Sequence, residues 1–88
     1  MSYYVYMLIT KRSGKFLSYV GYTNNLNKRI KLHNDSKGAK FTKGNKWKLI
    51  FKKKFISKIE ALKYEHFFKK NRKLRLIYKN KAIHALCT

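Results

Sequence analysis

Runs of apolar residues differ in length and spacing along the chain, and the first of them predict two strands. Residues 3–9, YYVYMLI, are almost continuously apolar and rich in aromatic and β-branched side chains. A strand that is covered on both faces has this composition. The segment KRSGK, in which Gly14 can adopt positive φ, then predicts a hairpin turn into a return strand over 16–22, FLSYVGY.

The middle of the chain predicts a helix, a loop and a third strand. Thr23 or Asn24 can cap a helix over about 25–34, because their side chains accept hydrogen bonds from free backbone N–H groups. The polar, glycine-containing segment NDSKGAKFTKGNK predicts a loop. In WKLIFKKKF apolar residues alternate with lysines, so we expect a strand with one buried face. The residues expected on that face are Trp47, Leu49 and Phe51.

Two further helices complete the predicted order. Ser57 and Glu60 form an S-x-x-E capping box, which predicts a helix that ends near residue 70. Asn71 interrupts the pattern, and RKLRLIYKNKAIHAL predicts a terminal helix. The order ββαβαα predicts an α+β fold in which a three-stranded antiparallel sheet is flanked by helices, as a single domain over 1–88.

Positive charge dominates the composition. The 88 residues include 23 lysines and arginines against three acidic residues, which gives a formal net charge of +20. Such a surface attracts polyanions by releasing condensed counterions, so nucleic acid is the expected partner. An AT-rich coding bias, which the frequent Asn and Ile also indicate, is an alternative source of many individual lysines.

Other classes of protein are disfavoured by the same composition. No run approaches the roughly 18 apolar residues that indicate a membrane span, and no secretory signal is expected at the N-terminus. The single cysteine, Cys87, excludes an internal disulfide, and Cys87 with His84 supplies too few ligands for zinc. We therefore expect a monomeric, cytoplasmic and nucleoid-associated protein that does not bind membranes.

Each acidic residue is informative because the chain has so few. Asp35 lies in the loop after the first helix, and Glu60 belongs to the capping box. Glu65 lies on the apolar side of its predicted helix, within about 60° of Ala61 and Phe68. A carboxylate in that position is costly unless it is paired or bound to a cation. The alternatives are an ion pair with a buried arginine or lysine, and a metal site.

The first helix carries a candidate phosphate-binding side chain. Arg29 and His33 lie four residues apart and therefore share one face. That face flanks Leu26 and Ile30, so both side chains are expected to lean toward the sheet. The planar fork of Arg29 suits a phosphate because it stays charged and donates two parallel hydrogen bonds. Purely structural roles for the arginine and the histidine are the alternative.

Five sequence elements, in order, resemble the GIY-YIG nuclease superfamily. They are YVY (4–6), YVG (19–21), an arginine eight residues after that glycine, GAKFT (38–42) and SKIEALKYEHF (57–67). The chain looks most like small single-domain bacterial members. It is also similar to the nuclease domains of the eukaryotic structure-specific endonuclease subunit and of the excision-repair incision protein. The resemblance implies the fold predicted above, and it departs from the family pattern at Tyr4, where the family has glycine.

The resemblance implies a nuclease site on the first two strands and the first helix. Tyr6 and Tyr19 match the tyrosines of the two triplets. Gly21 matches the closing glycine, where close backbone approach leaves no room for a side chain. Arg29 matches the helix arginine, and His33 matches a nearby position that holds histidine or tyrosine.

The remaining matched residues imply a cation and a phosphate contact. Glu65 matches the single carboxylate that binds a divalent cation, and Lys40 matches a phosphate contact in the loop. One carboxylate can anchor one Mg²⁺ or Mn²⁺ that keeps several waters. Tyr6 is then the expected general base, with help from the cation, nearby lysines or His33, and Arg29 would stabilise charge on the phosphate.

Three functional hypotheses follow from the sequence. The first is a metal-dependent DNA endonuclease that hydrolyses phosphodiester bonds, with branched or damaged DNA in repair or recombination as the substrate suggested by the resemblance. A targeting protein subunit is a further expected partner of such an enzyme. The second is a catalytically silent DNA-binding module. The third, from composition alone, is a small basic RNA-binding or ribosome-associated protein.

Overall fold

The computed structural model describes residues 2–87 of the chain, and it describes side chains as far as residue 85. The elements are β1 (Tyr3–Arg12), β2 (Lys15–Thr23), α1 (Leu26–Asn34), β3 (Lys48–Phe55), α2 (Lys58–Lys70) and α3 (Arg72–Cys87). They form an antiparallel sheet of three strands in the order β2-β1-β3. The predicted α+β fold with the order ββαβαα is therefore confirmed. Cys87 and His84 together were judged too few ligands for zinc, and the side chain of Cys87 lies outside the described residues.

The central strand β1 is buried on both faces, as its continuous apolar run predicts. Its residues 5–9 are at most 2% exposed. On one face Val5 and Met7 pack in a core with α2 and α3. On the other face Tyr6 and Leu8 pack in a second core with α1 and Trp47. The two helical layers thus enclose the sheet on opposite sides.

The third strand departs from the predicted alternation. Met7 pairs with Phe51 and Leu8 pairs with Leu49, so Ile50 is an extra residue in β3 and forms a β-bulge. Leu49 therefore packs in the α1-side core, whereas Ile50 and Phe51 both pack in the α2/α3-side core. The prediction that Trp47, Leu49 and Phe51 share one buried face is wrong, because a one-residue bulge reverses the side of every residue after it.

Local polar contacts set the ends of the elements. Ser13 and Gly14 adopt φ of 51° and 79° in the β1–β2 turn, which is the backbone that a two-residue hairpin requires. Asn25, rather than Thr23 or Asn24, caps α1, since its Oδ1 accepts from the Lys28 N–H at 3.2 Å. Thr23 instead accepts from the Asn25 N–H at 3.1 Å, one step before the cap.

The caps of α2 and α3 separate two helices that follow each other closely. Ser57 accepts from the Glu60 N–H at 3.4 Å at the start of α2, as the capping box predicts. Asn71 accepts from the Leu74 N–H at 3.1 Å and caps α3. None of the helices described over residues 2–87 has the length and apolar character needed to cross a membrane.

The core predicts a sharp difference between two adjacent phenylalanines of α2. Phe68 is 0% exposed and Phe67 is 50% exposed. We expect Phe68→Ala to lower the free energy of unfolding by about 3–5 kcal/mol, because it leaves a cavity in the core. Phe67→Ala, the matched control, should cost less than about 1 kcal/mol. Urea unfolding of both variants checks this, and equal losses would contradict the described packing.

Candidate active site

The buried end of Tyr6 is the point where β1 and α1 meet. Tyr6 Oη lies 2.7 Å from His33 Nε2, and Arg29 Nε donates a hydrogen bond to the same oxygen at 3.4 Å. Tyr6 and His33 are both 0% exposed, whereas Arg29 is half-buried. The four-residue spacing on α1 therefore places the arginine and the histidine against one phenol.

Gly21 makes room for that phenol. It pairs with Tyr6 across β1 and β2, and a Cβ on it would lie far inside van der Waals contact with Tyr6 Oη. Because Tyr6 is fully enclosed, its ring has no free direction in which to give way. The missing side chain at position 21 therefore allows the phenol to lie over β2.

Tyr19 belongs to the same group of rings. Its ring centroid lies 5.0 Å from that of His33 and 6.5 Å from that of Tyr6. Phe41, which is 55% exposed, stacks on the outer side of Tyr19 at 6.2 Å. Tyr19 thus lies between the buried pair and the protein surface.

A buried threonine in the loop after α1 fixes the protonation pattern of His33. Thr42 Oγ1 lies 2.8 Å from His33 Nδ1, accepts from the Ala39 N–H at 3.2 Å and donates to the Ala39 carbonyl at 3.0 Å. We assign the hydroxyl proton to that carbonyl, so that Thr42 accepts from His33 and Nδ1 carries the imidazole proton. Nε2 is then an acceptor, and Tyr6 donates its hydroxyl proton to it.

The loop that carries Thr42 is itself fixed at several points. Trp47 Nε1 donates to the Thr42 carbonyl at 2.9 Å, and the Asn34 side chain bonds both the N–H and the carbonyl of Trp47. A Cβ on Gly38 would overlap the His33 ring, so the loop can approach the histidine only with glycine there. These contacts hold the imidazole from the side opposite to Tyr6.

Burial sets the charge state of the group. It raises the pKa of Tyr6 to about 12, an effect that Tyr19 and Glu65 reinforce and that the Arg29 hydrogen bond opposes. Burial, and then the charge of Arg29, lowers the pKa of His33 below its ordinary value. The hydrogen bond to Tyr6 raises the pKa of Arg29. At neutral pH the phenol and the imidazole are therefore neutral, and the guanidinium is charged.

Glu65 approaches this group from α2. Its charge affects the pKa of Tyr6, but its ion pair is with Lys69, one turn further along the helix, at 3.6 Å. The two side chains are 20% and 52% exposed, so the alternative of an ion pair with a buried cation is not what the structure has. A pair of this kind contributes little and is easily exchanged for another cation. Among the described residues no group of three or more His, Cys, Asp or Glu could hold a metal.

The other predicted residues lie at the edge of this arrangement. Lys40 is exposed in the loop, next to Phe41, and is not part of the hydrogen-bonded group around Tyr6. Sequence reasoning missed Thr42 and Gly38, although both belong to the GAKFT motif (38–42). The motif indicated that this loop belongs to the site, but only its charged residue, Lys40, was assigned a role. A loop without periodicity gives no indication of which of its side chains turns inward.

Several known proteins are similar to this chain. A family model described as the GIY-YIG catalytic domain matches residues 2–79. UPF0213 protein YazA of Bacillus subtilis is 52% identical over 62 residues, which cover 68% of this chain and 63% of YazA, so this chain spans less than two thirds of that relative. UPF0213 protein CPE1444 of Clostridium perfringens is 46% identical, covering 84% of this chain and 81% of its own. The solution NMR structure of UPF0213 protein BH0048 from Bacillus halodurans is 36% identical with a TM-score of 0.47, covering 88% and 83% of the two chains.

The Thr42 network predicts a measurable effect of one hydroxyl. Thr42→Val keeps the shape but leaves His33 Nδ1 and the Ala39 N–H without partners, whereas the Ala39 carbonyl keeps its hydrogen bond from the residue 42 N–H at 3.2 Å. We expect a loss of about 2–4 kcal/mol in the free energy of unfolding, because each buried unpaired group costs about 1–3 kcal/mol. Thr42→Ser, the matched control, keeps the hydroxyl. Nitrogen-15 NMR should show His33 protonated at Nδ1 in the wild type and in Thr42→Ser, and protonation at Nε2 would contradict the assignment.

Burial of His33 also predicts how stability depends on pH. Because its pKa is lowered in the folded state, the unfolded chain binds more protons below pH 6.5, the ordinary value. The stabilisation is complete above pH 6.5 and is lost as pH falls below 6.5 through the folded-state pKa. Unfolding by urea between pH 8 and 5 should show this fall, and His33→Gln should flatten it. The exposed His66, changed to Gln as a control, should leave the profile as it is.

Proposed function

The chain belongs to the GIY-YIG catalytic-domain family, a nuclease family, and we propose that it is a metal-dependent DNA endonuclease. The observation that carries the proposal is the hydrogen-bonded group of Tyr6, His33 and Arg29, with the Glu65 carboxylate in electrostatic range of the phenol. A general base, a proton acceptor, a phosphate-binding cation and a metal ligand are the components that phosphodiester hydrolysis requires.

Tyr6 activates the attacking water through His33. With its pKa raised to about 12, about one Tyr6 in 10⁵ is a phenolate at pH 7, too few for a free base. The hydrogen bond to His33 Nε2 removes this difficulty. As Tyr6 Oη takes a proton from water, its own proton passes to the neutral imidazole. The relay needs the Nδ1-protonated tautomer that Thr42 holds.

Arg29 couples this step to the presence of substrate. Tyr6 is fully buried, and Arg29 lies against its oxygen, so water cannot reach the phenol in this arrangement. A phosphate offers Arg29 two charged acceptors in place of one neutral hydroxyl, so the guanidinium moves to the phosphate. That movement uncovers Tyr6 Oη only when DNA is bound. Tyr19, at the outer side of the group, donates to the phosphate or orients the water, and Lys40 binds a neighbouring phosphate.

Glu65 fits a metal ion that keeps most of its own water. GIY-YIG nucleases generally use divalent metal ions. The partly exposed carboxylate is held only by the exposed Lys69, and an ion with one protein ligand and several waters is the Mg²⁺ pattern. We therefore assign one Mg²⁺ or Mn²⁺ to Glu65. Held by Glu65, such an ion would supply charge neutralisation for the scissile phosphate and for the leaving 3′-oxygen.

The substrate is DNA whose backbone, rather than base sequence, is bound. A net charge of +20 supports binding through phosphates, which positions DNA but does not specify sequence. Nicking of branched or damaged DNA in repair or recombination is the proposed role, with a targeting protein as a second partner. We further propose that the protein acts as a monomer in the cytoplasm, at the nucleoid.

The proposal predicts that one carboxylate separates cleavage from binding. Glu65→Gln should lower the rate of nicking by about 10²–10³-fold, the loss expected when charge stabilisation of several kcal/mol is removed. The assay compares supercoiled plasmid and a labelled branched duplex in Mg²⁺ and in EDTA, at low salt. Wild type should cleave only in Mg²⁺, and the variant should still bind DNA.

Glu60→Gln is the matched control for that experiment. It removes the same charge from the same helix, but Glu60 is exposed in the first turn. It should cleave as the wild type does. Cleavage in EDTA would refute the metal dependence, and unchanged cleavage by Glu65→Gln would refute the metal ligand. Tight binding without cleavage of any substrate would instead support the silent binding module.

A further inference from the structure

The first two turns of α3 bring three cations to one cavity. The cavity has a volume of about 150 Å³ and is lined by Ser18, Arg72, Arg75, Leu76 and Lys79. The α3 residues are spaced i, i+3, i+4 and i+7, so they share one face of the helix. Ser18 of β2 closes the cavity from the sheet. Nothing in the site around Tyr6 uses these residues.

This cavity holds positive charge without an internal counter-charge. The three acids of the chain are Asp35, Glu60 and Glu65, and none of them lines it. Arg75 Nε is buried and has no hydrogen-bond acceptor among the described residues. A buried donor on a cation that lacks an acceptor costs free energy, and neighbouring like charges add to that cost. An anion that entered the cavity would remove the cost of the neighbouring like charges.

Its arginines distinguish this cavity from the rest of the surface, where the basic residues are mostly lysines. The 23 basic residues of the chain include only four arginines, and two of them line this one cavity. A coding bias toward lysine does not account for that pairing. Arginine presents a rigid planar fork that matches two phosphate oxygens, whereas lysine is a flexible point charge. The lining therefore has the chemistry of a phosphate site.

The cavity lies across β2 from the candidate active site. Ser18 and Tyr19 are neighbours on this strand, and side chains alternate between the faces of a strand. Tyr19 is on the α1 side, and Val20, on the same face as Ser18, packs in the α2/α3-side core. Because β2 is the edge strand of the sheet over residues 2–87, no further strand there blocks a DNA backbone from passing over it.

We propose that this cavity is a second phosphate-binding site, which takes a backbone phosphate of DNA other than the scissile one. The proposal rests on the proposed function for the identity of its ligand. Arg72 and Arg75 bind the non-bridging oxygens, Lys79 adds charge, and the Ser18 hydroxyl donates to the phosphate. The site orients the DNA strand relative to Tyr6 and contributes no group to the chemistry.

The test measures DNA binding in EDTA, so that cleavage plays no part in it. The variant Arg72→Gln/Arg75→Gln is compared with Lys58→Gln/Lys73→Gln, which removes two charges from exposed positions on α2 and α3. The arginine variant should bind about tenfold or more weakly, and its plot of log K against log salt should be less steep by about 1. The lysine control should keep the wild-type slope. Equal slopes for the two variants would overturn the proposal, whether or not the protein cleaves DNA.

A duplex with single neutral methylphosphonates locates the contact. One position should weaken wild-type binding but leave the affinity of Arg72→Gln/Arg75→Gln as it is, because the partner is already absent. A scan in which every position affects both proteins equally would refute a defined site. Inorganic phosphate is the other ligand to be tested. If millimolar phosphate binds at the cavity arginines while the arginine variant binds DNA as the wild type does, the site belongs to a free anion and the DNA contact is refuted.

A second pair of variants covers failure of the arginine variant to fold. Ser18→Asp places a carboxylate inside the cavity, where it competes with DNA for Arg75. Ser13→Asp adds the same charge at the exposed hairpin turn, where φ is 51° and aspartate is tolerated. Ser18→Asp should weaken DNA binding at least about tenfold more than Ser13→Asp does. Equal effects of the two substitutions on DNA binding would refute the phosphate site. Loss of cleavage while the salt dependence of DNA binding stays as in the wild type would instead count against the proposed enzymatic activity.

Discussion

The hydrogen bond between Tyr6 and His33 is the contact on which the rest of the site depends. It joins the central strand to α1 at 2.7 Å, inside the protein, where both rings are 0% exposed. A buried pair of polar groups is stable only if every other donor and acceptor is satisfied. Thr42 meets that requirement on the far side of the imidazole, and Gly21 and Gly38 provide the space.

The same burial explains the chemistry that we propose. Removal of water raises the pKa of Tyr6 to about 12 and lowers that of His33, so both groups are neutral and one proton lies between them. A pair of this kind passes a proton without forming a long-lived ion. Arg29 is the charged member, and its hydrogen bond to the phenol is the weakest of the set at 3.4 Å. The contact that substrate would break in the proposed mechanism is therefore the longest hydrogen bond of the group.

Sequence predicted those parts of the molecule that depend on local patterns. Continuous burial of β1, the Gly14 turn and the Ser57 cap follow from residue type and spacing, and so does the shared face of Arg29 and His33. The α1 cap was placed too early because Thr23, Asn24 and Asn25 are all able to cap, and tertiary contacts decide among them. The bulge at Ile50, the inward turn of Thr42 and the cavity at Arg75 depend on contacts distant in sequence. No periodicity in the sequence predicts these three features.

The two faces of the sheet carry different parts of the proposed site, and β2 contributes side chains to both faces. The α1 side holds the buried proton pair, while the α2/α3 side carries Glu65 and the arginine-lined cavity. Successive residues of an edge strand point to opposite faces, so Ser18 and Tyr19 reach both sides. With three acids for 23 basic residues, the fold cannot neutralise its own charge. In the proposed function, a DNA strand that crosses this edge neutralises that charge and reaches Glu65 and Tyr6 along the same path.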